Sequence, residues 1–524
     1  RDRKYLNRAL LVLLLAAFAA CSDNEGGNES NGNGDDGNTE TPADGDTYGY
    51  IKDTNGNPVE GVVVSDGYSC TATDAEGRYA LTRNADAGFV FYSLPSAYKV
   101  SVDKTYKLPR FFARLQAGTA RYDFTLEALA APEKRFDLIC IGDPQINEAS
   151  HAVRFKEEAG REIREYAASA GVPCYGITLG DHVNNKWTLF TNMVVALQPE
   201  QTGVPVFATI GNHDHEFPTA DEKAARAKYE SYFGPVDYSF NRGDVHVVSM
   251  DNVIHSCKAS ADYEGGFTAA QYAWLKQDLS FVPKDKMVIL CVHIPFRGGW
   301  GTNSAHADAD KYYDEVLDLL SQYEYAAIMS AHTHSNINYI HRKNGKEIFE
   351  HVTGTTCGAW WRSTVCTEGT PIGFGLYRID GNRMEEWAYR SVRHDEQFQI
   401  RLYRASDTFV GGAKYRFKQT GADQIVANIW NWDPSWTVNV YENDVLSGQM
   451  TRNSDIDAWT VAYHIGLLNN TDSYRKSSDH MFHYTLKNPA AAVRVEAIDR
   501  FGNKYEQTVF TDPAEHPGDF HADF

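Results

Sequence analysis

Five short segments of this chain carry the residue types that hold metal ions and move protons. They are Gly142-Asp143-Pro144-Gln145, Gly180-Asp181-His182, Gly211-Asn212-His213-Asp214, Val292-His293-Ile294-Pro295 and Ala331-His332-Thr333-His334. Carboxylates bring negative charge and can bridge two ions. Imidazoles suit Zn, Fe, Mn or Ni, and amide oxygens fill the remaining positions. Two divalent ions about 3.5–4 Å apart clamp the attacking and leaving oxygens of a phosphoryl displacement, and they draw the pKa of a bound water toward neutrality. Taken singly, each segment is a weak signal, because a lone Gly-Asp or a lone His after a strand is ordinarily a turn residue or a satisfied polar group. Five in order, each placed directly after an apolar run, are not explained that way.

The runs that precede them must position them. FDLICIG, CYGITLG, VPVFATIG, MVILCVH and AAIMSAH are continuous and apolar, as strands buried on both faces are. DVHVVSMD adds another strand. Residues 151–170, 187–197, 269–279 and 311–322 have helical patterning. Strands alternating with helices imply a layered α/β core, with the five segments at the strands' C-terminal ends, where such sheets bind ligands. Residues 47–130 instead alternate short β-like runs with turn signals, as a small antiparallel sandwich does. Beyond about residue 385 the helical patterns stop, and short runs rich in Trp, Tyr and Asn predict a C-terminal β domain over 395–524.

The ordered segments, with GNHD and the late His-x-His as their most specific parts, resemble the calcineurin-like metallophosphoesterase family over roughly residues 134–390. The phrases GYIKDTNGNPVEGVVVSDG and TDAEGRYAL resemble the carboxypeptidase-regulatory-like sandwich, and the three-part arrangement is similar to a bacterial lipoprotein branch of the family. The resemblance implies an αββα core flanked by an N-terminal β-sandwich and a C-terminal all-β domain. It implies two divalent metal ions (Zn, Mn, Fe, Ni or Mg). One would take Asp143, Gln145, Asp181 and His334, and the other Asp181, Asn212, His293 and His332, with Asp181 bridging. His213 would face the scissile phosphate as an acid or charge stabiliser, oriented by Asp214. The family usually has histidine where Gln145 stands and glycine where Ala331 stands; glutamine offers a harder, weaker ligand than imidazole. Arg297, Trp300, Trp361 and Arg362, with Trp360, are candidates for holding a phosphate or stacking on a base or sugar; packing against the C-terminal domain is the alternative for the tryptophans.

The N-terminal end has a different logic. Arg1, Arg3, Lys4 and Arg8 precede an apolar run over 9–20, too short to span a bilayer and suited to a secretory leader over 1–20. The run ends Ala19-Ala20-Cys21, which resembles a lipobox with Cys21 as the lipidated residue. Residues 22–46 carry acids, no base and Ala43 as the sole aliphatic residue, so 21–46 reads as a solvated acidic tether. The expected location is the cell envelope, at the outer membrane, facing the periplasm or the surface, with membrane contact through the lipid.

Composition limits the partners. The 524 residues hold 50 Lys+Arg against 70 Asp+Glu, a formal charge of −20. That acidity disfavours nucleic-acid binding, which needs a basic face. It leaves open a phosphoester small molecule or envelope component, because metal ions dominate a local field. Apart from Cys21 there are seven cysteines, an odd number, and no C-x-x-C pair. Cys140, Cys174 and Cys291 sit in strand-like runs as small hydrophobes; Cys357 and Cys366 could form a bridge. Neither G-x-S-x-G nor H-E-x-x-H occurs, so a serine hydrolase elbow and a zincin helix are unsupported. The leading expectation is a two-metal phosphoesterase acting on a phosphomonoester or phosphodiester. The competing one is a non-catalytic surface lipoprotein that binds glycan or a protein through its β domains.

Overall fold

The computed structural model describes residues 45–259, 261–297, 311–405, 417, 421–469 and 474–511. The predicted leader, Cys21, nearly all of the tether and Trp300 lie outside the described residues. Two stacked sheets form the centre. The first contains β1 (Arg135–Ile141), β2 (Cys174–Leu179) and β3 (Val206–Thr209). The second contains β4 (Tyr238–Arg242), β5 (Val245–Ser249), β6 (Met287–Cys291), β7 (Tyr325–Ser330), β8 (Ile337–Lys343) and β9 (Lys346–Val352). Strands β10 (Gly373–Asp380) and β11 (Arg383–Ser391) return to the first sheet. The orders are β3-β2-β1-β10-β11 and β4-β5-β6-β7-β9-β8.

Strand alternation divides the buried faces. Leu138 and Cys140 of β1 join Ile177, Val247 and Leu290 between the sheets. Their neighbours Ile139 and Ile141 join Phe155, Ile163, Phe190 and Met193, which come from helices covering the outer face of the first sheet. The second sheet is covered by helices Ala269–Ser280 and Tyr313–Leu320, which contribute Trp274, Leu275, Val316 and Leu320. The result is the expected αββα layering. In it β1, β2 and β3 run parallel, as do β5, β6, β7 and β9.

Residues before β1 form two small sheets, 78–81/47–53/124–126 and 70–72/63–65/89–92/112–114. The expected antiparallel pairing holds for most of these strands, but Thr47–Asp53 pairs with Phe124–Leu126 in parallel. This region packs into the same hydrophobic cluster as the central sheets. Trp274 is fully buried there and donates its indole N–H to Ser65 Oγ at 3.0 Å. The buried Arg242 donates to the Pro95 and Tyr98 carbonyls at 2.9 and 2.5 Å.

Two four-stranded sheets follow β11. They are not helix-free: Asp457 accepts from the Trp459 amide at 3.0 Å and caps Ala458–Thr460, which continues as a π-helical turn, Val461–Leu467. Asp457 is fully buried and also accepts from Arg401 at 3.0 Å and Asn428 at 2.6 Å. Among the described residues no helix is long and apolar enough to cross a membrane. Cys357 and Cys366 are buried free thiols, and Cys140, Cys174 and Cys291 are buried as expected.

Trp274→Ala would remove the largest side chain between the N-terminal sheets and the core. Urea unfolding should show a loss of about 3–5 kcal/mol.

Candidate metal centre

All five segments lie directly beyond strand C-terminal ends, after β1, β2, β3, β6 and β7. The chain turns sharply there. Asp143, Gln145, Asp181, His332 and His334 have φ of 38°, 36°, 51°, 64° and 54°. Side chains with a Cβ avoid this left-handed region at a cost on the order of 1–3 kcal/mol each, and such residues persist only where the surroundings over-determine them. Here the loops are tied to one another. The Gln145 amide donates to the Asp181 carbonyl at 2.6 Å, and the Ala331 amide to the His293 carbonyl at 3.0 Å. The His332 amide donates to Asp143 Oδ2 at 3.0 Å, and the His213 amide to Asp181 Oδ1 at 2.8 Å.

Two glycines permit the close approach. A Cβ on Gly180, itself at φ 96°, would lie 2.3 Å from His293 Nδ1. One on Gly211 would lie 2.3 Å from both the Asp181 amide nitrogen and Oδ1.

The side chains converge on a point rich in lone pairs and poor in protons. Asp181, His293 and His332 each offer a ligand atom, all within 4.8 Å of one another and all buried. His293 Nδ1 donates to the Leu179 carbonyl at 2.7 Å, which turns the Nε2 lone pair inward. That Nε2 meets Asn212 Oδ1 at 3.0 Å, His332 Nδ1 at 3.1 Å and Asp181 Oδ2 at 3.3 Å. His334 Nε2 stands 3.6 Å from Asp143 Oδ1. Among the described residues, Asp143 Oδ1 and Gln145 Oε1 are buried with no hydrogen-bond partner. Buried acceptors without donors are costly, so an orphaned pair beside two imidazoles is a cation site by its chemistry. The donor set of carboxylate, imidazole and amide oxygen fits divalent ions.

Electrostatics report the same excess of acceptors. Burial, reinforced by the Asp181 charge, drives the Asp143 carboxyl well above its usual range, although His293 opposes this. Asp181 is also buried, yet His293 and His213 hold its pKa below the usual range. Burial disfavours a charged His293, but Asp181 and then Asp143 raise it to about 9. His334 is pushed down to about 3 by burial, with Lys476 adding to the effect.

The partner expected for His213 is not the one found. Asp214 does not orient the His213 ring. Its carboxylate accepts from the amides of His182, Gly211 and Val183 at 2.8, 3.0 and 3.2 Å, and from His182 Nδ1 at 2.9 Å. Asp214 thus clamps the Gly180 and Gly211 loops together. The group on His213 Nδ1 is Asn185 Oδ1, at 2.9 Å. Behind the loops, His215 joins the Gly211 carbonyl at 2.9 Å to Asp251 at 3.1 Å. Asn252 Oδ1 accepts from the amides of His293 and Ile294 at 3.1 and 3.0 Å. Asn185 and Asn252 stand outside the five segments and carried no signal in the sequence.

The substrate candidates separate. Trp361 is only 2% exposed, and its indole N–H donates to the Pro144 carbonyl at 2.8 Å. It braces the Asp143 loop and has no face open for stacking, which corrects its assignment as a binding residue. Trp360 is half-buried, with its ring 4.8 Å from that of His334. The C-terminal region reaches this edge too, where Tyr474 lies 5.4 Å from Trp360 and the Lys476 ammonium 6.0 Å from it. Arg362 is exposed over Tyr474, at 5.6 Å. Arg297 is exposed over Tyr339, at 5.7 Å. Tyr263 was not anticipated; its hydroxyl lies 3.3 Å from His332 Nε2.

Comparison with known proteins identifies the family. Residues 122–336 match the family model for calcineurin-like phosphoesterase, residues 46–129 the model for the N terminal of calcineurin-like phosphoesterase, and residues 350–505 the model for its C terminal. The chain belongs to the calcineurin-like phosphoesterase family. It is 26% identical to purple acid phosphatase 23 of Arabidopsis thaliana over 181 residues, 32% of this chain and 36% of that one. It is 25% identical to purple acid phosphatase 18 of the same plant over 182 residues, 32% of this chain and 38% of that one. The chain thus spans little more than a third of the length of these relatives. Among solved structures, purple acid phosphatase PPD1 from yellow lupin (Lupinus luteus) seeds aligns with a TM-score of 0.35 and 14% identity, covering 50% of this chain and 53% of that one.

Gly211→Ala would push a methyl group into Asp181. The purified variant is expected to lose most of its bound divalent metal by elemental analysis; an undiminished metal content would contradict the packing of this loop.

Proposed function

We propose that this chain is an exported, lipid-anchored phosphoesterase that uses two divalent ions to hydrolyse a phosphomonoester or phosphodiester. The observation that carries the reading is the convergence of Asp181, His293 and His332, with Asp143 Oδ1 and Gln145 Oε1 left without partners beside them. In the proposal Asp143, Gln145, Asp181 and His334 hold one ion, and Asp181, Asn212, His293 and His332 hold the other. Bound divalent ions supply Lewis acidity at the phosphoryl oxygens and acidify water, so that a nucleophile forms near neutral pH. Gln145 in place of an imidazole makes one donor set harder and favours a harder ion there.

The protein's own groups do the rest. The Leu179 carbonyl and Asn252 fix the ring and backbone of His293. Asn185 accepts from His213 Nδ1 and so sets the tautomer of that ring. His213 Nε2 is then the atom that exchanges a proton with the phosphoryl group or its leaving oxygen. Trp361 and Asp214 hold the loops in register without meeting substrate. The basic start, the apolar run and the small residues before Cys21 support anchoring at the cell envelope.

Three variants test the assignment. Asp181→Ala is expected to abolish both metal binding and hydrolysis of p-nitrophenyl phosphate and bis-p-nitrophenyl phosphate. His213→Ala should keep its metal and lose about 10²–10⁴ in kcat; loss of metal in that variant would refute the role given to His213. Asn185→Ala, with metal content unchanged, should lower kcat by about 10–100-fold if it acts by orienting the ring.

A further inference from the structure

β8 and the C-terminal sheets enclose a groove of 290 Å³. Its walls are pinned together. Asn338 Nδ2 donates to the Asn431 and Trp432 carbonyls at 2.9 and 3.2 Å, and Asn336 Nδ2 to the Trp430 carbonyl at 2.8 Å. Arg297 and Tyr339 line one wall; Trp432 and Arg452 line the other. Each arginine lies over an aromatic face. Arg297 is 5.7 Å from the centre of Tyr339, and Arg452 is 4.4 Å from that of Trp432. Arg452 is further oriented by donating to the Asp479 carbonyl at 2.9 Å. Both arginines are exposed. Among the described residues, neither has a carboxylate at ion-pair distance.

This is unexpected in a chain of formal charge −20. Cation–π stacking orients a guanidinium without neutralising it and leaves its N–H edge available for an anion. The third arginine of the lining, Arg342, is by contrast paired with Glu347 at 2.8 Å. The lining also contains Asp479, whose carboxylate can accept from hydroxyl groups, and the apolar residues Ile337 and Pro434. Guanidinium donors for an anion, a carboxylate acceptor for hydroxyls and an apolar floor together match a sugar ring that bears a charged group. A flat base is a poorer match, because one face of each aromatic ring is already covered by a guanidinium.

We infer that this groove, between β8 and the C-terminal sheets, is a binding site for an anionic saccharide, a sugar carrying a carboxylate or a sulfate, held by Arg297 and Arg452. The inference does not depend on the phosphoesterase reading. Calorimetry on the purified full chain tests it with tetragalacturonate, a sulfated tetrasaccharide of the heparin type, neutral maltotetraose, inorganic sulfate and a tetraglutamate peptide. Binding of either charged tetrasaccharide is expected, and which of them binds identifies the anion. Maltotetraose, sulfate and tetraglutamate should each bind at least about tenfold more weakly. Arg297→Gln/Arg452→Gln should weaken the charged sugar by on the order of tenfold or more at an unchanged melting temperature. If the double variant does not fold, Arg452→Gln alone serves, since that side chain is exposed and outside any ion pair. Failure of both charged sugars to bind, equal binding of maltotetraose, sulfate or the peptide, or indifference of the folded variants would overturn the inference.

Discussion

The loops at the strand ends gather a buried cluster of hydrogen-bond acceptors that, among the described residues, lacks the donors to satisfy it. Around His293 Nε2 stand an amide oxygen, a carboxylate oxygen and a second imidazole nitrogen, each within 3.3 Å. Two more acceptors, on Asp143 and Gln145, have no partner among the described residues. Bringing such groups together out of water is unfavourable unless positive charge is delivered to them. A fold that holds this arrangement must therefore both gather the groups and resist their separation.

The stacked sheets do the gathering. Parallel strands buried on both faces end on one edge, and five loops leave that edge at once. Resistance comes from a layer just behind the ligands. Asp214 is acceptor to three amides and one imidazole. Asn252 holds the His293 turn, and His215 ties the Gly211 loop to Asp251. Trp361 reaches from a different segment to brace Pro144. These contacts over-determine the loops, and that is how five ligand candidates can sit in the left-handed region.

Much of this was legible in the sequence for a physical reason. Strands buried on both faces must be uninterrupted apolar runs, so FDLICIG or MVILCVH marks both its own position and that of the polar residue that ends it. What was not legible depends on distances between side chains. Nothing local distinguishes Asn185 from Asp214 as the partner of His213, and the adjacent residue was the natural choice; the loop geometry instead turned Asp214 inward to backbone amides. Trp361 reads as a binding residue because exposed and buried tryptophans look alike in a chain. The turn of helix at 458–467 was missed because Trp459, Thr460, Val461 and Tyr463 favour strands, and it forms because the buried Asp457 caps it. The parallel pairing of Thr47–Asp53 with Phe124–Leu126 joins segments too distant for any turn signal to announce.

In the proposed function, the acceptors on Asp143 and Gln145 take divalent ions that act on a phosphoester. Titrating metal-free protein with Mn²⁺ and Zn²⁺ in a calorimeter, while following hydrolysis of p-nitrophenyl phosphate and bis-p-nitrophenyl phosphate on the same samples, tests it most directly. Two ions bound per chain are expected, with hydrolysis of at least one ester appearing as the second site fills. A protein that binds no ion, or that binds two and hydrolyses neither ester, would contradict it.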